Sequence, residues 1–331
     1  MMRKSVGVVV GVVVAGALLF SGCSSSSSSS TSTTVKSKSP ASTVDGILAL
    51  GRPVVLSHAA GEDVAPHSSM FGYGQSVRDG VDILDLDIQR TKDGVLVVQH
   101  DDTTKRTTES DFKVADLTYA QIHELDNGYW FKSCANTCTG KPESDYIYRG
   151  VRTGKVAPPA GYNADDFAVP KFVDVANRWP DYVLNVEIKG RGADAFITAE
   201  LLAKEIASLN RADSVVVTSF DDTVVEKFHS LAPTVAISPG LDALTAYVLA
   251  GTPIPMWGKI LQVPPVYEGV VVFTPDYVKK TKAAGYINWI WPNGENENEA
   301  GYLKLFQEGA DGINANNPPA AIAALKQYTT K

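Results

Sequence analysis

The sequence predicts a single (β/α)8 barrel with an insertion after its second strand, and three observations carry that prediction. Short β-branched runs alternate with helix-like stretches, which argues for a parallel sheet. Eight such runs occupy roughly 280 residues, the size of one closed barrel. No Gly-rich dinucleotide fingerprint follows the first run, which weakens the case for an open doubly wound sheet.

In chain order, the barrel strands are read at 54–58, 81–88, 182–188, 214–220, 234–238, 259–263, 286–291 and 312–314. Helices are read at 165–179, 193–209, 223–232, 274–284 and 300–308. The spacing breaks once, between the second strand and the third. That gap holds an extra strand at 95–100 and a polar, Cys- and Pro-containing stretch at about 105–170. A loop of that length in a compact domain is usually functional. Following a barrel strand, it belongs over the C-terminal mouth, where barrel active sites lie.

The N-terminus reads as an address label. Arg3 and Lys4 precede an apolar run over 6–20, and Ser21-Gly22-Cys23 sets small residues before a cysteine. This is the layout of an export signal, and Cys23 looks like the lipid-modified cysteine of bacterial lipoproteins. The run is shorter than the roughly 20 residues of a transmembrane span. Residues 1–22 are therefore read as a signal peptide and 23–45, dominated by Ser and Thr, as a flexible tether. The folded domain is expected over 46–331, in an exported protein held by lipid on the outer face of a bacterial cell membrane.

Hydrophobic residues make up 44% of the chain and charged residues 20%, too apolar for disorder. A net charge of −7 argues against a nucleic-acid surface. It leaves room for a small anionic substrate, since a bound cation can invert the local field. Of the three cysteines, Cys134 and Cys138 share a short loop and read as a disulfide in an exported protein. A zinc knuckle would need a second ligand pair nearby, and none is visible.

Two strands carry the chemistry. In 83–88, alternation puts Asp85 and Asp87 on one face and Leu84, Leu86 and Ile88 on the other. In 184–189, Asn185, Glu187 and Lys189 share a face in the same way. Three carboxylates inside a barrel need a compensating cation. Oxygen ligands suit Mg2+ or Ca2+; the alternative is a lattice of ion pairs in which Lys189 neutralises Glu187. His58 and His100 each end an apolar strand on the catalytic side, and two histidines converging on an acidic mouth form a natural acid/base pair. The carboxylates at 293–299 lack EF-hand spacing and read as a solvated loop, with Trp257, Trp289 and Tyr302 as packing residues.

Taken together, the run Gly80-Val81-Asp82-Ile83-Leu84-Asp85-Leu86-Asp87-Ile88-Gln89-Arg90-Thr91-Lys92-Asp93-Gly94, then Gln99-His100-Asp101 and Arg106-Thr107-Thr108, resembles the glycerophosphodiester phosphodiesterase signature. Ser57-His58, Asn185-Val186-Glu187-Ile188-Lys189, Ser219-Phe220, Trp291, Gly309-Ala310-Asp311-Gly312-Ile313 and Asn317-Pro318 fall in family order, so the resemblance covers about 53–320. It implies metal-dependent hydrolysis of small glycerophosphodiesters to glycerol phosphate and an alcohol. By the resemblance, His58 and His100 are the acid/base pair, Asp85, Asp87 and Glu187 hold Mg2+ or Ca2+, Lys189 lies near the phosphate, and Trp291 lines the pocket for the alcohol. The implied chemistry is attack by the neighbouring glycerol hydroxyl on phosphorus, loss of the alcohol, then hydrolysis of the cyclic phosphate.

The sequence departs from the family at three places. Ala59 follows the first histidine where arginine is usual, His67 occupies the glutamate position of a Pro-Glu-Asn-Thr segment, and Asp85 is one methylene shorter than the usual glutamate. His67 is accordingly expected as an additional ligand or a phosphate contact. Two rival functions follow: a non-catalytic surface lipoprotein that binds a phosphodiester, and a phospholipase C/D-like enzyme of the same fold. The latter should need an apolar rim, and 105–170 is mostly polar.

Overall fold

The computed structural model describes residues 41–132, 140–293 and 296–330. Cys23, Cys134 and Cys138 lie outside the described residues. Eleven strands form here: β1 Val54–Ser57, β2 Ile83–Arg90, β3 Leu96–Val98, β4 Val183–Ile188, β5 Val215–Thr218, β6 Ala236–Ile237, β7 Ile260–Val263, β8 Val266–Tyr267, β9 Val270–Val271, β10 Ile287–Ile290 and β11 Gly312–Ala315. Eight are parallel, in the order β6-β5-β4-β2-β1-β11-β10-β7, and a bridge between Ile237 and Gly258 joins β6 to the residues before β7. That bridge brings the two ends of the sheet together as a barrel.

The helices are α1 Val44–Leu48, α2 Met70–Asp79, α3 Tyr119–His123, α4 Phe172–Arg178, α5 Gly192–Ser208, α6 Asp222–Leu231, α7 Leu241–Ala250, α8 Pro275–Ala283, α9 Glu299–Glu308 and α10 Pro318–Thr329. Their ends follow local chemistry. Thr274 caps α8 and Asn317 caps α10, each followed by Pro at the first helical position, where no N–H is needed. The helix expected over 165–179 is cut by Pro170 into a 3-10 turn at Ala164–Phe167 and the short α4.

Alternation sorts side chains into two cores. Leu84, Leu86, Ile88, Leu184, Val186 and Ile188 face the surrounding helices. Val54, Leu56, Ile83, Val183, Val216 and Trp289 pack inside the barrel at its N-terminal end. The tether read to residue 45 stops sooner than that. Thr43 caps α1, and Val44 and Ile47 of α1 are buried against the interior cluster. They plug the bottom of the barrel, so burial of apolar surface fixes this helix.

The insertion is built on a hairpin. β3 returns antiparallel along the upper half of β2, pairing Ile88 with Val98 and Arg90 with Leu96. Behind it, Val97, Val114, Ile122 and Val169 form a satellite core, and Phe71, Val151 and Phe167 form another. The hairpin thereby delivers the residues after Val98 to the barrel mouth.

Candidate active site

The register of β2 and β4 builds the floor of the site. Asp85 lies opposite Asn185, and Asp87 opposite Glu187. The Asn185 amide donates to Asp85 at 2.5 Å, and it exchanges hydrogen bonds with Gln262 on β7 at 3.0 and 2.9 Å. Above the apolar plug, the interior is therefore a polar layer crossing from β2 to β7.

His58 opens a tight turn at the end of β1. The next two residues, Ala59 and Ala60, both take positive φ, 44° and 72°, and Gly61 follows at 78°. Left-handed backbone at non-glycine residues is costly and clusters at functional sites. The turn aims the His58 ring across the mouth and brings Glu62 under it. Nδ1 of His58 lies 2.6 Å from Asn316 Oδ1 and 3.4 Å from Glu62 Oε1. His100 is supported likewise, its Nδ1 2.6 Å from Asp101 Oδ1.

One guanidinium joins the two supports. Arg106 donates to Glu62 at 3.0 Å and to Asp101 at 2.9 Å, so a single cation spans the carboxylates behind both histidines. Its remaining nitrogen lies 3.0 Å from His67 Nε2. Burial and the charge of Arg106 lower His67 to about 3, so this ring is neutral and accepts the Arg106 N–H. Burial opposes a charge on His58, but Glu62 outweighs it and raises the histidine to about 10. Burial pushes Glu62 up, yet His58 and Arg106 hold it well below the usual carboxylate range. Asp101 is likewise held low, against burial, by His100 and Arg106.

The carboxylate cluster carries its own cation. Lys189 Nζ lies 2.9 Å from Glu187 and 3.5 Å from Asp87. Burial pushes Asp87 up, but Lys189 and the histidines hold it at about 2. Asp85 and Glu187 are both pushed up, chiefly by burial. The donor set, three carboxylates on adjacent strands, is the kind a hard divalent ion takes, and Asp87 Oδ2 is buried without a hydrogen-bond partner. Among the described residues, no three His, Cys, Asp or Glu side chains are grouped as a metal site, and Lys189 supplies the positive charge.

These groups surround a cavity of 790 Å³, lined at one end by His58, Glu62, Asp85, His100, Arg106 and Glu187. Trp291 lines it too, in contact with Phe220 and Tyr267. Asp87 and Lys189 sit behind Glu187, off the wall. His67, at 7% exposure, is off the cavity wall, where its Nε2 accepts from Arg106. The guanidinium on the wall is that of Arg106, while Ala59 is fully buried.

Sequence reasoning passed over Glu62, Arg106 and Asn316 as functional groups. Asn316 had a signal, as a polar residue just past the end of the last barrel strand. The loop at 293–299 is a correction. Glu297 is 8% exposed, accepts from Tyr302 and from the Asn316 backbone, and thereby steadies the residue that holds His58.

Residues 58–319 match the Glycerophosphoryl diester phosphodiesterase family. A glycerophosphodiester phosphodiesterase of Bacillus subtilis strain 168 is 27% identical over 304 residues, covering 87% of this chain and 92% of that protein. One from Caldanaerobacter subterraneus subsp. tengcongensis is 25% identical, covering 83% of this chain and 99% of that protein. Among solved structures, a glycerophosphoryl diester phosphodiesterase domain from Mycobacterium tuberculosis superposes with a TM-score of 0.64 at 17% identity, covering 82% of this chain and 98% of that one. An Oleispira antarctica phosphodiesterase, solved with the product sn-glycerol-3-phosphate, gives 0.58 at 18% identity, over 83% of this chain and 97% of that one. The match spans the barrel from the first histidine to the last helix: the chain belongs to the glycerophosphoryl diester phosphodiesterase family and is a phosphoric diester hydrolase.

Proposed function

We propose that His58 and His100 are the acid/base pair with which this enzyme hydrolyses glycerophosphodiesters to glycerol phosphate and an alcohol. The observation that carries the proposal is the shared support: each ring has Nδ1 on a polar partner, and Arg106 ties the two carboxylates together. Fixing Nδ1 turns Nε2 of each ring to the substrate, where it can give or take a proton. One histidine takes the proton of the attacking hydroxyl. The other gives a proton to the alcohol oxygen as its bond to phosphorus breaks. The glycerol phosphate bound by the Oleispira antarctica relative fits this product. Arg106, on the cavity wall, offers positive charge to the phosphoryl oxygens.

Asp85, Asp87 and Glu187 are the residues that would hold Mg2+ or Ca2+, the reading supported by their chemistry and by the unpartnered oxygen of Asp87. Bound there, the ion would supply charge to offset that developing on the phosphoryl oxygens. Lys189 would then be released from Glu187 and Asp87 toward the phosphate. The signal layout ending in Cys23 supports a chain exported and lipid-anchored on the outer face of the cell membrane.

The test is release of glycerol phosphate from a panel of glycerophosphodiesters, with Mg2+, with Ca2+ and with chelator, beside His58→Ala and His100→Ala. Each variant is expected to lose about 10²–10⁴-fold in kcat. Full activity in either variant would remove that histidine from the chemistry, and full activity in chelator would remove the metal. Labelling with radioactive palmitate in wild type and Cys23→Ala tests the anchor.

A further inference from the structure

Behind Asn316 lies a buried carboxyl group that does not line the cavity and that the chemistry above does not use. It belongs to Glu297, in the loop before α9, and burying a carboxylate is costly unless donors meet it. Two donors meet the same oxygen. Oε2 accepts from the Tyr302 hydroxyl of α9 and, at 3.2 Å, from the Asn316 N–H just past β11. Oε1 is buried with no hydrogen-bond partner. Asn316 is gripped from its other side as well, where the Asp63 N–H donates to its carbonyl at 3.1 Å. The Asn317 N–H donates to the Tyr302 hydroxyl oxygen at 3.2 Å. Asn316 is thus held at both of its backbone groups, and its side chain reaches His58 Nδ1 at 2.6 Å.

Resting on the phosphodiesterase reading, we propose that Glu297 is a positioning residue for the reaction: its carboxylate clamps the Asn316 peptide, so that Asn316 Oδ1 keeps the His58 ring turned for proton transfer. A hydrogen bond to an ionised acceptor is roughly twice as strong as one to a neutral acceptor. The charged clamp therefore fixes Asn316 more tightly than a neutral one. The groups that face Glu297 are Tyr302 on α9, Asn316 after β11, and His58 and Asp63 on the turn after β1. Burial raises Glu297 to about 7, with Asp63 adding to the rise and Tyr302, the Asn316 N–H and His58 opposing it. The clamp is charged above that pH and neutral below it. An arriving proton goes to the unpartnered Oε1, which leaves Oε2 as the weaker, carbonyl-type acceptor. Burial opposes a charge on His58, but Glu62 raises it to about 10, so the ring keeps one charge state while Glu297 titrates.

The test follows kcat and KM of wild type and Glu297→Gln on glycerophosphocholine between roughly pH 5 and 9, and takes the ratio of the two kcat values. Titrations common to both proteins cancel in that ratio, among them Asp63, which burial and Glu62 raise to about 6. The proposal expects the ratio to climb from about one to about tenfold through neutral pH, the gap between a charged and a neutral acceptor, while KM stays level. In a Tyr302→Phe background the climb is expected at higher pH, because the carboxylate has lost a donor. A ratio that is the same at every pH, as loss of packing alone would give, overturns the proposal, and so does a change confined to KM. The His58 ring, followed by NMR without substrate, separates the two readings. Its Nδ1–H signal is expected to shift through neutral pH in wild type and to lose that shift in Glu297→Gln. No turnover in wild type with the shift present sinks the catalytic reading and keeps the clamp. A signal that moves alike in both proteins sinks the clamp.

Discussion

Asn316 Oδ1 lies 2.6 Å from His58 Nδ1, a contact that joins the end of the first barrel strand to the end of the last. Because Nδ1 is engaged there, the ring cannot rotate or change tautomer freely. A hydrogen bond to a charged group is worth roughly 1.5–3 kcal/mol, or about 10–150-fold in rate. Asn316→Ala is therefore expected to lower kcat by that factor while KM moves little. Asn316→Asp, which still accepts from Nδ1–H, is expected to recover most of the loss. Equal losses in kcat for the two variants would mean that the contact does not orient the ring.

Arg106 makes a stronger case, since its removal strands two carboxylates at once. Arg106→Met is expected to destabilise the fold by about 1–3 kcal/mol, the cost of taking charge-assisted hydrogen bonds from two partly buried carboxylates. It should also let Glu62 and Asp101 take up protons at higher pH, read by NMR titration, because they lose the charge that helps hold them ionised. Lysine cannot span both acids with one ammonium, so Arg106→Lys is expected to behave like Arg106→Met.

Inside the barrel, Gly312 is a packing requirement. A Cβ there would stand 2.6 Å from Trp289 Cδ1 and 2.9 Å from Val54 Cγ2. Gly312→Ala is expected to cost about 1–3 kcal/mol by overpacking, seen as a lower urea midpoint with unchanged slope.

Glu205 on α5 is a carboxyl raised to about 7 by burial and the nearby charge of Asp174, with Oε2 lacking a hydrogen-bond partner. Its folded pKa lies above its unfolded value, so between roughly pH 4.5 and 7 the native state holds the extra proton. Stability from this group consequently falls as pH rises through that window. Melting temperature measured across it should decline less steeply in Glu205→Gln than in wild type.

The barrel strands were legible because each is a β-branched run closed by turn residues, and alternation alone set Asp85, Asp87 and Glu187 on the interior face. Helix α2 was not, since Gly72 and Gly74 depress helix propensity. The structure shows why Gly72 stays: a Cβ would come within 2.8 Å of the Pro66 carbonyl and 2.9 Å of Ala60 Cβ, against the His58 turn. His58 and His100 could be read from their places at strand ends. The ties of Glu62, Arg106 and Asn316 to the histidines could not, because they depend on how a left-handed turn and a hairpin meet. The tie of His67 to Arg106 was hidden for the same reason.

The sheet is closed at β6 by only two strand residues and a single bridge to Gly258. Counted around the barrel, this seam is opposite β1, which carries His58, and α7 and the β8–β9 hairpin are the segments that follow its two edges. The His58 turn and these two segments thus occupy opposite arcs of one ring. Insertions and side-chain exchange at the seam can reshape that end of the cavity without disturbing the acids, histidines and arginine across from it.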